Sequence, residues 1–190
     1  FELYADRTEV IEQRYPAAGQ PNAAILLGVI RIADAAPAEV ANTGAGSALL
    51  PAAAKIRWVD LGEDRDIYLA RADWFADSSA LSFQVQTRNQ RRLDLRAWSA
   101  RDQAISTLLS ETSQTWVNLH DDLQFLDSGD FVWASERDGF KRLYLHGRDG
   151  ALKHALTPEA WVVDDLRAID ERNDRLFFAS GGPDPTQKHV

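Results

Sequence analysis

The residues able to do metal or acid–base chemistry are scattered thinly along this sequence. Its four histidines are His120, His146, His154 and His189, and no two have the H-x-x-x-H or H-x-H spacing that places two imidazoles on one face. There is no cysteine, which excludes a disulfide, a thiolate nucleophile and a Cys-ligated metal in this chain. We therefore expect no metal site and no cofactor.

A nucleophilic serine has a signature of its own, a G-x-S-x-G turn between a strand and a helix. The sequence contains no such segment. Nor does it contain a phosphate-binding loop, since "TGAGS" (43–47) lacks the lysine that would follow. We therefore predict no catalytic residue in residues 1–190.

The elements that would position any site are strands. Apolar and polar residues alternate over short runs, and each run is bounded by Gly, Asp, Asn or Ser clusters suited to hairpin turns. An antiparallel meander is the predicted arrangement. The clearest predicted strands cover residues 80–86, 92–98, 130–135, 141–146 and 174–180.

These strands recur at a regular spacing. Leu81 and Phe131 each begin an apolar strand after an acidic turn, and so does Leu176, at intervals of 131 − 81 = 50 and 176 − 131 = 45 residues. Leu93 and Leu143 are also 50 residues apart. A repeat of about 40–50 residues with four short strands is typical of a β-propeller blade. We expect an all-β fold, a partial β-propeller with about three to four four-stranded antiparallel blades; a β-sandwich is the alternative.

The paired aspartates and most of the tryptophans are expected to have structural roles. The acidic pairs Asp121-Asp122 and Asp164-Asp165 are placed just before strands at equivalent places in two repeats, so we expect them to cap turns rather than share a proton. Most of the tryptophans are expected to pack between blades, because large aromatics contribute strongly to cores. These are Trp74, Trp98, Trp116, Trp133 and Trp161.

Charge and hydropathy exclude some partners. The net charge of −8 is spread along the chain, whereas nucleic-acid binding needs a clustered basic face. The one basic cluster, "RNQRRLDLR" (88–96), has the alternation of an ordinary strand surface. The longest apolar run, "NAAILLGVI" (22–30), is far shorter than the roughly 20 residues needed to span a bilayer. We expect it to form a strand. We expect no nucleic-acid partner and no membrane span.

The wording of several segments resembles a known family. "RYPAAGQPNA" (14–23), "SETSQTWVNLHDDLQFL" (110–126), "SERDGFKRLYL" (135–145) and "ASGGPDPTQKHV" (179–190) are similar to the bacterial dipeptidyl peptidase IV branch of the prolyl oligopeptidase family. The resemblance implies an N-terminal eight-bladed propeller joined to a C-terminal α/β-hydrolase domain with a Ser, Asp and His triad. Such enzymes release N-terminal dipeptides, preferring proline or alanine in the second position.

The resemblance also implies which parts lie in this chain. Residues 1–190 would be the later half of the propeller, which shapes and gates access to the site. The hydrolase domain is expected after Val190, and the paired glutamates that hold the substrate's amino group are expected just upstream of Phe1. This chain would then lack the catalytic residues of its parent.

One site element is carried over from the family. In relatives a loop after a Trp-Val pair places an aromatic and an arginine near the substrate, and the pair here is Trp116-Val117. The next residues are Asn118, Leu119 and His120, so leucine replaces the aromatic and histidine or asparagine replaces the arginine. The resemblance makes these three residues the candidates for substrate binding.

Other expectations concern assembly and location. Residues 1–19 occupy the place where relatives extend an arm to a partner subunit, so a homodimer through this arm is expected, with a plain edge hairpin as the alternative. A periplasmic or secreted location is implied by the resemblance alone. Two rival functions stay open: a non-enzymatic propeller that binds proteins or peptides, and a relative of the acylaminoacyl-peptidases or oligopeptidases.

Overall fold

The computed structural model describes residues 2–3, 8–9, 19–32, 55–182, 184 and 186–190. Every named element in these ranges is a β-strand, and the strands form five antiparallel sheets there. No helix in the described ranges is long and apolar enough to cross a bilayer. The fold is therefore all-β, as the alternation of apolar residues predicts.

The strands are numbered in chain order within the five sheets. The first sheet contains β1 (Glu2–Leu3) and β2 (Thr8–Glu9), the second β3 (Leu27–Val29) and β4 (Arg57–Val59), and the third β5 (Ile67–Trp74), β6 (Ala80–Thr87), β7 (Arg92–Ser99) and β8 (Ile105–Thr112). The fourth contains β9 (Gln124–Phe125), β10 (Phe131–Ser135), β11 (Arg142–His146) and β12 (Leu152–Ala155), and the fifth β13 (Val163–Asp170) and β14 (Arg175–Ser180).

The third and fourth sheets are four-stranded meanders in which each strand pairs with the next along the chain. Leu81 pairs with Trp98 across the β6–β7 hairpin, and Phe131 pairs with His146 across the β10–β11 hairpin. The five clearest predicted strands agree with β6, β7, β10, β11 and β14 to within one residue at each end.

The second to fifth sheets stack face to face in chain order. Leu93 and Leu95 of the third sheet pack in one buried cluster with Phe131 and Trp133 of the fourth. Alternate residues of β10 point the other way, so that Val132 packs with residues of the fifth sheet. Every residue of β10 is buried. A sheet buried on both faces by its chain neighbours is a propeller blade, and this excludes the two-layer sandwich.

The repeat equivalence is confirmed. Leu81 and Phe131 lie on the second strand of their sheets, each in a cluster with the preceding sheet, and Leu176 packs in the same way against the fourth sheet. Leu93 and Leu143, on the third strands, both face the following sheet. Leu81 and Phe131 are buried and Leu176 is half-buried.

At one point the third and fourth sheets meet backbone to backbone. Gly150, in the turn between β11 and β12, has a φ of +87°, and a Cβ added there would lie 1.8 Å from the carbonyl oxygen of Leu108 on β8. Only glycine fits, both because of the positive φ and because of the contact. The two blades are thus in direct main-chain contact at this turn.

The tryptophans do not all follow the expectation. Trp98 and Trp133 are buried, and Trp161 is half-buried near Phe178. Trp74 and Trp116, however, are 45% and 57% exposed, so the expectation that they pack between blades is wrong. Residue type favours burial, but neither side chain belongs to the buried clusters between the described sheets. Trp74 ends β5, and Trp116 lies on the connection after β8.

The basic cluster of residues 88–96 is a strand surface, as predicted. Arg92 and Arg96 on β7 flank Asp94 and form ion pairs with it at 2.8 and 3.0 Å. The apolar run of residues 22–30 contains β3, which is shorter than the run. For the proposed arm, the described backbone is limited to the pairing of β1 with β2 and to Gly19; the rest of residues 1–19 and the "TGAGS" segment lie outside the described residues.

Candidate functional site

An open cleft of about 1140 Å³ runs along the boundary between the third and fourth sheets. Its walls are residues 108–113 from the end of β8, residues 115–120 from the connection to β9, and residues 133–137 from the end of β10. Residues 162–164, at the start of the fifth sheet, close one side. The cleft thus lies where connections between successive blades come together, and such loops commonly carry function on a rigid scaffold.

The connection between β8 and β9 is tied to the sheet it leaves. The backbone N–H of Val117 donates to the carbonyl of Gln90 at 2.7 Å, and the Gln86 side chain donates to the Val117 carbonyl at 3.0 Å. The N–H of Ser113 donates to the Arg91 carbonyl at 3.0 Å. This segment is therefore anchored to the β6–β7 turn and presents the residues after it in a defined position.

Asn118 joins the two sides of the cleft. Its Oδ1 accepts a hydrogen bond from Nε1 of Trp116 at 3.0 Å, and its Nδ2 donates to the carboxylate of Glu136 at 2.9 and 3.1 Å. An indole N–H can only donate and a carboxylate can only accept, so both partners define the same amide orientation. Trp116 and Asn118 belong to the connection, whereas Glu136 begins the β10–β11 turn.

His120 points into the protein rather than into the cleft opening. Its side chain is 9% exposed, and its ring meets that of Trp133 edge to face with centroids 4.4 Å apart. Its Nδ1 accepts from the backbone N–H of Asp122 at 3.2 Å. Burial is the main cause that lowers the pKa of His120, and nearby Lys141 adds to the effect while Asp122 opposes it. The arrangement favours the neutral imidazole.

Asp122 links the fourth and fifth sheets. Its carboxylate accepts from the backbone N–H of Leu166 at 2.7 Å and from Nζ of Lys141 at 2.9 Å. Lys141 also donates to the Asp164 carbonyl. The expectation that Asp122 caps a turn is therefore wrong, because its partners are Lys141 of the β10–β11 turn and Leu166 of β13 in the next repeat. Its neighbour Asp121 pairs with Arg71 of β5 at 2.5 Å.

The inner wall of the cleft is a compact polar group around Glu111. Its Oε1 accepts from Nε1 of Trp133 at 3.1 Å and from the Arg137 guanidinium at 2.9 Å. That guanidinium also lies over the Tyr144 ring, 4.7 Å from its centroid. Because the arginine contacts a carboxylate and an aromatic face at once, its position is determined from two sides.

All three residues predicted for substrate binding line the cleft. Asn118 and Leu119 lie on its surface, and Leu119 is 41% exposed. His120 supports the connection from behind. Their contact with a substrate stays a prediction.

Sequence reasoning missed Glu111 and Glu136, which come to the cleft from strand and turn positions. Glu136 begins the β10–β11 hairpin turn, and no local pattern in the sequence indicates that this turn meets the connection after β8. Among the described residues no group of three or more His, Asp or Glu side chains is arranged to hold a metal ion.

Comparisons with known proteins agree with this architecture. The family model described as "Dipeptidyl peptidase IV (DPP IV) N-terminal region" matches residues 1–190. The crystal structure of Porphyromonas gingivalis dipeptidyl peptidase 4 is similar over 98% of this chain and 24% of its own, with a TM-score of 0.77 and 22% identity. A putative dipeptidyl aminopeptidase IV from Bacteroides ovatus is similar over 93% of this chain and 25% of its own, with a TM-score of 0.69 and 21% identity.

Proposed function

Because the chain belongs to the dipeptidyl peptidase IV N-terminal region family, we propose that it is the propeller segment of a serine exopeptidase that releases N-terminal Xaa-Pro and Xaa-Ala dipeptides. The observation that carries the proposal is the family match over residues 1–190. The chain spans about a quarter of the length of the solved structures it matches, at 24% and 25%. The chemistry of the whole enzyme would therefore depend on residues beyond those in this chain.

The proposal divides the work between two domains. Acyl transfer needs a nucleophile, a general base and an oxyanion hole, and an α/β-hydrolase domain following residue 190 would supply them. The propeller would shape and gate the path of the peptide. Support comes from the cleft between the third and fourth sheets, which is concave, open and lined by residues on anchored connections.

Within this cleft we assign Asn118, Leu119 and His120 to substrate binding. Asn118 and Leu119 would meet the peptide directly, since both lie on the cleft surface. His120 would act as a positioning residue, because its ring packs on Trp133 and its Nδ1 holds the backbone of Asp122. Replacing Asn118 or His120 by alanine should lower kcat/KM about two- to tenfold, because the loss of one hydrogen bond costs about 0.5–1.5 kcal/mol net.

We also propose a location for the enzyme and a dimeric assembly. We place the enzyme in the periplasm or outside the cell, and we assign residues 1–19 to an arm that contacts a second copy in a homodimer. The pairing of β1 with β2 is compatible with such an arm. Deleting residues 1–19 from the full-length protein and measuring its mass in solution by light scattering would test the assembly.

The function is tested with the full-length protein and with this chain alone. The full-length protein should hydrolyse a chromogenic Ala-Pro dipeptide derivative, and a serine-directed phosphonate should abolish the activity. The isolated chain of residues 1–190 should give no turnover. Phosphonate-sensitive hydrolysis by the isolated chain, or no hydrolysis of any Xaa-Pro or Xaa-Ala substrate by the full-length protein, would contradict the proposal.

A further inference from the structure

The charged side chains that line the cleft differ in whether they have an ionic partner. Most of them are held in ion pairs within the protein: Glu111 with Arg137 at 2.9 Å, Lys141 with Asp122 at 2.9 Å, and Asp164 with Lys188 at 3.1 Å. Glu136 is different. No cation lies within ion-pair distance of its carboxylate among the described residues, although it is held in place by the Asn118 amide.

An exposed aromatic ring is connected to this carboxylate. Trp116 is 57% exposed, and its indole N–H is bound to the same amide that binds Glu136. The indole and the carboxylate are thus separated by one amide group and come from two different connections. Their relative position is set by hydrogen bonds on both sides of Asn118, so the cleft presents an ordered aromatic surface beside an ordered negative charge.

This pair of groups matches a particular chemistry. A cation on an alkyl stem can place its methylene groups and charge against an indole face and its N–H donors on a carboxylate. Lysine and arginine side chains have that form. An apolar side chain would leave the carboxylate without an ionic partner, and an acidic one would be repelled by it.

We propose that Trp116 and Glu136 form a subsite for a lysine or arginine side chain of a peptide, with Asn118 as the residue that positions both. The inference deepens the proposed function and rests on it, since it takes the ligand of the cleft to be a peptide. It concerns a side chain and not the peptide's free amino group. The net charge of −8 would favour the approach of a cationic peptide.

The test measures peptide binding by the full-length protein after inactivation with a small fluorophosphonate, so that a bound peptide is not cleaved. The probes are pentapeptides with proline in the second position and one lysine at position 1, 3, 4 or 5. Each is matched with a peptide that carries norleucine there. At one position the lysine peptide should bind about three- to tenfold more tightly, the range expected when a partly exposed ion pair and a cation–π contact act together.

Three substitutions test whether Glu136, Trp116 and Asn118 form the subsite. Glu136→Gln and Trp116→Ala should each bring the ratio of lysine to norleucine affinity close to one. Asn118→Leu should do the same although both contact groups remain, because the amide that orients them is gone. Glu63→Gln, which makes the same charge change at an exposed position outside the cleft lining, should keep the ratio. A ratio, unlike an affinity, is insensitive to a general loss of folded protein.

The outcomes separate this inference from the proposed function. Equal binding of lysine and norleucine peptides at every position would overturn the subsite, as would a preference that persists in Glu136→Gln. Cleavage by the untreated protein is measured in parallel. If it cleaves no peptide but binds lysine peptides in a Glu136-dependent way, the peptidase assignment fails and the subsite stands. If it cleaves peptides without a lysine preference in binding, only the subsite fails.

Discussion

Trp133 and Trp116 both line the cleft and both donate their indole N–H to a side chain, but they lie in very different surroundings. Trp133 is 0% exposed and packs with apolar residues of the third sheet, whereas Trp116 is 57% exposed. Trp133 is part of the packed boundary between two blades. Trp116 is exposed, and a hydrogen bond holds its ring in place. The same residue type thus has a structural role at one position in the cleft and an exposed side chain at another.

The largest effect should come from removing Trp133. In the full-length protein Trp133→Ala leaves a cavity between two blades, and the cost is about 3–5 kcal/mol of unfolding free energy. The midpoint of urea unfolding, followed by a signal from the propeller, measures it. Trp116→Ala is the matched control and should change the unfolding free energy by less than about 1 kcal/mol. Equal losses for the two variants would remove the distinction between boundary and surface.

A smaller loss of stability is expected from Asp122→Ala. The change leaves Lys141 without its carboxylate and the Leu166 N–H without its acceptor, and an unsatisfied buried group costs about 1–3 kcal/mol. Asp122→Asn keeps an oxygen that can accept from Leu166 and should lose less. If Asp122→Asn is as damaging as Asp122→Ala, the loss of charge beside Lys141 is the dominant effect. Thermal unfolding of both variants of the full-length protein makes the comparison.

A substitution at the cleft surface should lower activity without lowering stability. Asn118→Ala should lower kcat/KM for an Ala-Pro substrate about two- to tenfold, while the unfolding midpoint stays close to that of the parent. The side chain is exposed and its bonds are to exposed partners, so little burial is lost. An unchanged kcat/KM with a lowered midpoint would make the connection a purely structural one.

The smallest expected effect is a dependence on pH. Burial lowers the pKa of His120, so the unfolded chain, where histidine titrates near about 6.5, binds the proton more readily than the folded one. Stability from this group is fully present above about pH 6.5 and is lost as pH falls towards the folded pKa. The pKa of His146 is also lowered, mainly by burial. Unfolding free energy measured between pH 7.5 and 5 should therefore fall less steeply in His120→Gln, with the exposed His154→Gln as the control.

The sequence predicts the blades better than it predicts the cleft. Strand limits around Leu81, Leu93 and Phe131 follow from alternation and turn residues, which are local properties. The partners of Asn118 and Asp122 lie 18 and 44 residues further along, on other repeats. Contacts of that kind depend on how one blade stacks on the next, and no local pattern encodes them.

Tryptophan exposure shows the same limit. Trp133 lies on a strand whose two faces are both covered, and alternation in "DFVWAS" predicts that strand. Trp116 lies on a connection, where alternation carries no information about the neighbouring sheet. The family resemblance pointed to the residues after the Trp116-Val117 pair, and these line the cleft. Their contact with a substrate stays a prediction.

The contact of Gly150 with the Leu108 carbonyl also bears on how this protein can change in length. A Cβ added at position 150 would lie only 1.8 Å from that oxygen. The turn of residues 147–150 therefore has no room for an added residue, because extra chain there would push two blades apart. The exposed turn of residues 101–103 has no such contact. Insertions acquired in evolution, and reporter domains fused in the laboratory, should be tolerated at the second turn and rejected at the first.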